Sequence, residues 1–253
     1  MGAVLAHALP GLPEIRAGDD LGALLALAAE RLDGGLADGD VLAVAHKVVS
    51  KAEGRVRTLA DVEPGPHARE LAAAHDKDPR LVQVVLDETA ELMRADRGRL
   101  ICRTRHGFVC ANAGVDASNA GDRGAVVLLP DDPDASARTL RASLRDRLGA
   151  APAVIVTDSF GRAWRHGQAE TAIGCAGLMA LEDWRGRADS HGRLLVATVI
   201  AVADEAAAAA DLVRGKDTRE PAVRLRGLER HVTGEDGPGA VALLRPAEDD
   251  LFR

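Results

Sequence analysis

Val41-Leu-Ala-Val-Ala-His-Lys-Val-Val-Ser-Lys-Ala-Glu-Gly54 is the stretch on which the reading of this chain turns. Val41 to Ala45 is an apolar, β-favouring run, and Val48-Val49 extends it after the interruption His46-Lys47. Polar side chains, among them Lys51, therefore stand at the end of a buried strand. Ala153-Val-Ile-Val-Thr157 repeats the pattern and is followed by Asp158 and Ser159. Asp116 also follows a strand, the one around Phe108-Val-Cys110, and two strand ends that each carry a carboxylate are expected to meet across a site.

Outward from these strands, Asp19-Asp20 caps a first helix running to Leu32, and Gly34-Gly35 ends it. Asp61 to Pro66 is a turn cluster. Asp78 caps and Pro79 opens a second helix, with apolar residues at Leu81, Val82, Val85, Leu86, Leu92 and Met93. Leu100-Ile-Cys102 and Phe108-Val-Cys110 predict a hairpin-like pair, and Val126 to Leu129 a further strand. A charged helix spans about Ala135 to Leu148. Leu194 to Val202 predicts a long strand, Asp204 to Val213 an Ala-rich helix, Ala222 to Leu225 a last strand, and Thr233 to Gly239 a mobile loop. Strands and helices mix without repeating as βαβ units of constant length, so the fold class is α+β: mixed sheets with packed helices in two intimate subdomains.

Composition narrows the function. The chain has 253 residues, with 32 Lys and Arg against 39 Asp and Glu, a net charge of −7 that argues against a nucleic-acid binder. Three Phe, two Trp and no Tyr are too few for a base-stacking platform. No run of about 18 apolar residues predicts a membrane span, and Met1 to Pro10 lacks a basic signal-like segment, so a cytoplasmic location is expected. Cys102, Cys110 and Cys175 read as buried thiols. The segment Gly215-Lys216 is not a P-loop, because its first glycine position falls on Ala210 and Asp217 occupies the Ser/Thr position. Zinc-hydrolase, redox Cys-x-x-Cys and Gly-x-Ser-x-Gly motifs are absent.

Asn112-Ala-Gly-Val-Asp-Ala-Ser-Asn119 surrounds one carboxylate with small residues after a strand. Gly114 permits a tight turn, Asp116 can ligate a hard cation and Asn119 can bond an anion or base edge. Taken alone, such a segment is an Asx-type turn. Together with Asp158 and Ser159 it predicts a carboxylate-held Mg²⁺ or Mn²⁺. Arg162, Arg165 and His166, expected within one or two turns of Asp158, add positive charge suited to phosphates, and Lys47 and Lys51 add more. The bland alternatives are a surface arginine cluster and a solvated lysine pair.

Gly11-Leu-Pro-Glu-Ile15, Gly18-Asp-Asp-Leu21, Asp38-Gly-Asp-Val41, Val49-Ser-Lys-Ala-Glu-Gly-Arg55, the run from His106 to Asn119, Thr157-Asp-Ser-Phe-Gly-Arg162 and Asp183-Trp-Arg-Gly-Arg187 together resemble the coenzyme F420-0:L-glutamate ligase (F420 γ-glutamyl ligase) family. The resemblance runs in order from about Gly11 to Gly227. It implies a GTP-dependent amide ligase that joins L-glutamate to F420-0, and then further γ-linked glutamates, through an acyl phosphate. It also implies Mg²⁺ or Mn²⁺, with K⁺ as an additional candidate, and an intertwined homodimer.

By position, Asp116, Asp158 and Ser159 are the implied metal ligands, and Lys51, Asp116 and Asp158 the catalytic candidates. Nucleotide contacts carry over to Leu12, Pro13, Glu14, Ile15, His46, Lys47, Lys51, Asn119, Gly215 and Lys216. Lys216 stands where some members place an acidic metal ligand. Ser190-His191-Gly192-Arg193 replaces the usual Leu-Tyr-Gly-Arg. Some relatives carry a C-terminal flavin-binding nitroreductase-like domain; a single ligase-like domain over residues 1–253 without it is expected here. The rival expectations are a ligase of the same mechanism for another acid and amine, or a non-catalytic nucleotide-binding relative.

Overall fold

The computed structural model describes residues 2–117, 124–215 and 217–250. In chain order the strands and helices are β1 (Leu5–Ala8), α1 (Leu21–Ala29), β2 (Val41–Ala45), α2 (His46–Ala52), β3 (Val56–Thr58), α3 (Pro66–His75), α4 (Pro79–Asp87), β4 (Thr89–Asp96), β5 (Arg99–Thr104), β6 (Val109–Ala111) and β7 (Ala125–Val127). There follow α5 (Pro133–Leu148), β8 (Ala153–Arg162), β9 (Arg165–Ala176), β10 (Glu182–Asp183), β11 (Val199–Ile200), α6 (Val202–Asp211) and β12 (Ala222–Arg226). The α+β expectation holds, with several sheets and helices packed on them. No helix among the described residues is long and apolar enough to cross a membrane.

A five-stranded sheet in the order β1-β12-β2-β8-β9 carries the architecture. Only β2 and β8 pair in parallel; the other neighbours are antiparallel. Along β2 the side chains alternate between two cores. Leu42 and Val44 join Val154, Val156, Leu25 and Leu144 under α1 and α5, whereas Val41 and Ala43 join Ile155, Ala203, Ala207 and Leu225 under α6. Both faces are covered, which is why the strand is continuously apolar. A smaller core gathers Val82, Val85, Leu100, Cys102, Ala113 and Val126 beneath α3 and α4 and beside the β4-β5-β6 sheet.

The edge strand β9 meets β8 through an irregularity: Val156 pairs with Gly174 but Thr157 with Ala172, leaving Ile173 as the extra residue of a bulge. Carboxylates cover the backbone donors beside it. Asp204 accepts from Ala172 N (2.9 Å) and Asp134 from Cys175 N (2.8 Å). The bulge sits one residue before Asp158.

The helix caps expected at Asp20 and Asp78 are present, and Asp132 supplies a third that was not anticipated. Asp20 accepts from Ala23 N, Asp78 from Arg80 N and Asp132 from Ala135 N. Three sequence expectations are corrected. Val48-Val49 belongs to α2 rather than to a strand, because Val49 packs into the core as part of a helical turn. Leu92 and Met93 lie in β4, since α4 stops at Asp87 and the chain turns back to pair with β5. The long strand expected over Leu194 to Val202 shrinks to Val199–Ile200 paired with a two-residue partner, and Val202 begins α6. Thr233 to Gly239 is a loop held by the buried Arg141, which donates to Thr233 O (2.8 Å) and pairs with Asp236 (2.7 Å). Helix α3 and strands β1, β3, β9 and β10 were not anticipated from the sequence.

Two outcomes follow from this packing. A Cβ on Gly174 would stand 2.1 Å from the backbone oxygen of Pro133, whereas one on Gly161 would meet open space. Gly174→Ala is expected to lower stability by about 1–3 kcal/mol in urea unfolding while Gly161→Ala leaves it nearly unchanged; equal midpoints for the two variants would contradict this packing. Burial pushes the Cys110 and Cys175 thiols up to about 12. Since the thiolate is the reactive form, a maleimide at pH 8 should leave both untouched in the native protein and label them in denaturant.

Candidate active site

The register of the parallel pair builds the site. Ala45 lies opposite Thr157, so the next residues, His46 and Asp158, leave the same sheet edge side by side. His46 opens α2 and is buried; its Nε2 lies 3.2 Å from Asp158 Oδ1, without hydrogen-bond alignment, and its Nδ1 lies 3.4 Å from Ser50 Oγ one turn on. Asp158 Oδ1 also accepts from Ser159 N (2.8 Å). Cys110 is near enough that the Asp158 charge adds to burial in raising its thiol.

Lys47, the next residue of α2, places Nζ 2.7 Å from Asp116 Oδ2. Asp116 reaches that position through an unusual turn. Asn112, Ala113 and Gly114 all take positive φ (52°, 51° and 73°), and Asp116 then exchanges backbone hydrogen bonds with Val127. A Cβ on Gly114 would stand 2.7 Å from Leu129 Cγ, so both the backbone conformation and the close approach require glycine there. The expected tight turn is present.

Lys51 lies one turn beyond Lys47 and pairs with Glu14 Oε1 at 2.5 Å. This contact and the Gly18 N to Ala52 O bond (2.9 Å) lay the loop Leu12-Pro13-Glu14-Ile15 against α2, with Ile15 buried and Leu12 packed on the core. Leu12 to Ile15, His46, Lys47, Lys51, Asp116 and Asp158 are thereby brought to one neighbourhood.

Ser159 turns to the other face. Strand alternation sends Asp158 toward α2, and Ser159, opposite Glu170 in the β8-β9 ladder, toward the start of the loop after α6. Ser159 Oγ donates to Glu170 Oε1 (2.6 Å). Arg214 lies 2.8 Å from Glu170 Oε2 and donates to Thr157 Oγ1 (3.2 Å), and both members of this ion pair are buried. Gly215 follows Arg214, and its carbonyl accepts from Thr218 Oγ1 (3.2 Å). Asn119 and Lys216 lie outside the described residues.

The three groups expected within one or two turns of Asp158 are not there. Because β8 continues to Arg162, the residues Arg162, Arg165 and His166 occupy the exposed end of a hairpin, where Arg162 donates to the His166 carbonyl (3.1 Å). Glu170 was missed by sequence reasoning. Its signal, a carboxylate in a strand directly opposite Ser159, exists only once the β8-β9 hairpin and its bulge are known.

Among the described residues, no group of three or more His, Cys, Asp and Glu side chains is arranged to hold a metal ion. The oxygen donors Asp116 and Asp158, with Ser159 beyond them, are of the type that hard cations take, and the Lys47 ammonium already places a positive charge on Asp116. The adjoining ammonium groups suit phosphate. A cavity of about 420 Å³ lies between α1, α2 and α5, but Asp19, Asp20, Glu53 and Asp132 line it, a charge unsuited to phosphate, and it includes none of the candidate residues.

Comparison with known proteins places the chain in a family. A family model described as F420-0:Gamma-glutamyl ligase matches residues 11–227. A coenzyme F420:L-glutamate ligase of Methanopyrus kandleri is 47% identical over 242 residues, 95% of this chain and 94% of that protein. One of Methanothermobacter thermautotrophicus is 44% identical over 244 residues, 96% of each. One of Halobacterium salinarum is 46% identical over 255 residues, 98% of this chain and 95% of that protein. With its matched region enclosing both carboxylate-bearing strand ends, the chain belongs to the F420-0:gamma-glutamyl ligase family.

Proposed function

We propose that this protein is a coenzyme F420-0:L-glutamate ligase that uses GTP and a divalent cation, Mg²⁺ or Mn²⁺, and adds glutamate through an acyl phosphate. The observation that carries the reading is the convergence of Asp158 and Asp116 on the consecutive residues His46 and Lys47 at the head of α2. The names of the relatives support the substrate pair, coenzyme F420 and L-glutamate.

A carboxylate resists attack by an amine because its leaving group would be an oxide. The γ-phosphoryl of GTP is therefore passed to the acceptor carboxylate, GDP departs, and the glutamate nitrogen attacks the acyl carbon, expelling phosphate and losing a proton. Such transfer depends mainly on positioning and electrostatic stabilisation. Lys47 and Lys51, four residues apart on α2, supply point charges for the phosphates. Leu12 to Ile15 form the wall above them, with His46 at the strand end, Gly215 and Lys216 on the loop after α6, and Asn119 completing the nucleotide contacts.

Asp116 and Asp158 would hold the cation on the α2 side, and Ser159 would offer an oxygen on the other. A bound divalent ion supplies positive charge against the phosphate oxygens, with K⁺ a further candidate beside it. The Lys47 to Asp116 and Lys51 to Glu14 pairs are partly exposed, the kind of contact that contributes little and exchanges readily. Lys47 and Lys51 would thus be able to exchange their carboxylates for phosphate oxygens, leaving Asp116 to a cation. The working unit is a homodimer in a cytoplasmic setting.

Incubation with F420-0, L-glutamate, GTP and Mn²⁺ should release GDP and yield deazaflavin products heavier by whole glutamyl units in mass spectrometry. GDP release without any mass gain would redirect the reading to another acid and amine pair. Asp116→Ala and Asp158→Ala should each abolish GDP release with an unchanged circular dichroism spectrum; wild-type turnover in either variant would sink the cation assignment. Chelation should stop the wild-type reaction, and added Mn²⁺ should restore it.

A further inference from the structure

The Glu170 and Arg214 pair lies behind the site and is unusual for its burial. Both residues are more than nine-tenths buried, 4% and 9% exposed, inside a protein whose other ion pairs mostly face solvent. Leaving either charge alone in such a place is costly, so the two side chains fix each other's position firmly. They belong to segments distant in sequence: Glu170 is on β9, and Arg214 begins the loop after α6. Glu170 has a second contact, the Ser159 hydroxyl at 2.6 Å. Arg214 has three more: Asp211 Oδ1 at 3.6 Å, Thr157 Oγ1 at 3.2 Å and the Pro221 carbonyl at 3.3 Å. The last closes the loop from Arg214 to Pro221 at both ends.

We propose that Glu170 is a positioning residue of the ligase site, which through Arg214 holds the 214–221 loop in register with the end of β8 and through Ser159 orients a hydroxyl beside it. The inference rests on the proposed nucleotide role of that loop. Arg214 is consumed by these contacts and does not reach out to ligand; its guanidinium joins one strand end to both ends of the loop. Ser159, by donating its proton to Glu170, has its hydroxyl orientation set by the buried carboxylate, with its oxygen lone pairs directed away from it. One buried carboxylate thus sets two neighbouring features of the site. Asp158, on the opposite face of β8, is not part of this arrangement.

The test uses the full-length protein with Glu170→Gln, the double variant Glu170→Gln with Arg214→Met, and Asp158→Asn for comparison. Glutamine keeps the shape and an acceptor for Ser159 but removes the charge that fixes Arg214; the double variant removes both buried charges and so protects folding from an unpaired ion. Three quantities are read: the thermal midpoint, backbone hydrogen exchange of peptides covering 214–221, and the KM and kcat for GTP. Expected for both Glu170 variants is faster exchange confined to 214–221, a KM for GTP raised about tenfold or more, and a kcat changed far less. Asp158→Asn should leave exchange in that loop as in the wild type.

Unchanged exchange and KM in the double variant would overturn the proposal. So would exchange that rises equally along β8 and β9, the mark of a merely structural pair. If the wild-type protein turns over no GTP, the proposed function fails, and the exchange of 214–221 still decides whether Glu170 positions the loop.

Discussion

The parallel pairing of β2 with β8 is the constraint on which the rest of this molecule depends. Parallel strands end on the same edge, and the alignment of Ala45 with Thr157 makes the next residue of each strand, His46 and Asp158, neighbours. Everything placed at the site follows that alignment: α2 departs from the same edge carrying Lys47 and Lys51, and the N-terminal loop lies on α2. A shift of one residue would send Asp158 to the face now occupied by Ser159 and separate the carboxylate from both basic groups. Burial prevents the shift, because Leu42 and Val44 fit one core while Val41 and Ala43 fit the other.

Charge is distributed in two ways around this edge. The pairs Lys47 with Asp116 and Lys51 with Glu14 are open to solvent on at least one side, so water and incoming ions compete for them. Glu170 with Arg214 is closed off. The first kind suits groups that must change partners when an anion arrives, and the second suits a fixed frame. The proposed phosphoryl transfer would draw on both, since groups that are to meet phosphates have to be released while the backbone that presents them stays still. The same division explains why acidic residues dominate overall and yet basic groups face the site: an excess of seven negative charges leaves room for a small local reversal.

Some of this was legible in the residues. Caps at Asp20 and Asp78, the apolar runs of β2 and β8, and the hairpin around Arg105-His106-Gly107 follow from local chemistry, and the structure has them. So does the glycine-dependent turn before Asp116. Where the reading failed, period and context competed. Val48-Val49 is as β-favouring as any pair in the chain, but α2 has to start at His46 for Val49 to reach the core. Leu194 to Val202 is apolar enough for a long strand, but its pairing with the preceding segment is a regular ladder only at Val199–Ile200; before that it is an isolated Ala188–Leu194 bridge and scattered bonds of Leu195 and Thr198, and Leu194 and Val196 remain exposed. A strand needs a regular ladder for its backbone groups, and propensity does not supply one.

By itself the sequence determined the α+β class, the two central strands β2 and β8, the helices capped at Asp20 and Asp78, the family, and the identity of Asp116, Asp158, Lys47 and Lys51 as groups worth following. These depend on residue type and short spacing, which are local properties. Only the tertiary structure decided which groups meet. It joined Lys47 to Asp116 and Lys51 to Glu14, carried Arg162, Arg165 and His166 away on a hairpin, and brought Glu170 and Arg214 together behind Ser159. Those contacts span many intervening residues and depend on strand register, a bulge at Ile173 and the direction in which alternate side chains point. No local pattern encodes a register; it is set by the two cores closing on both faces of one sheet at once.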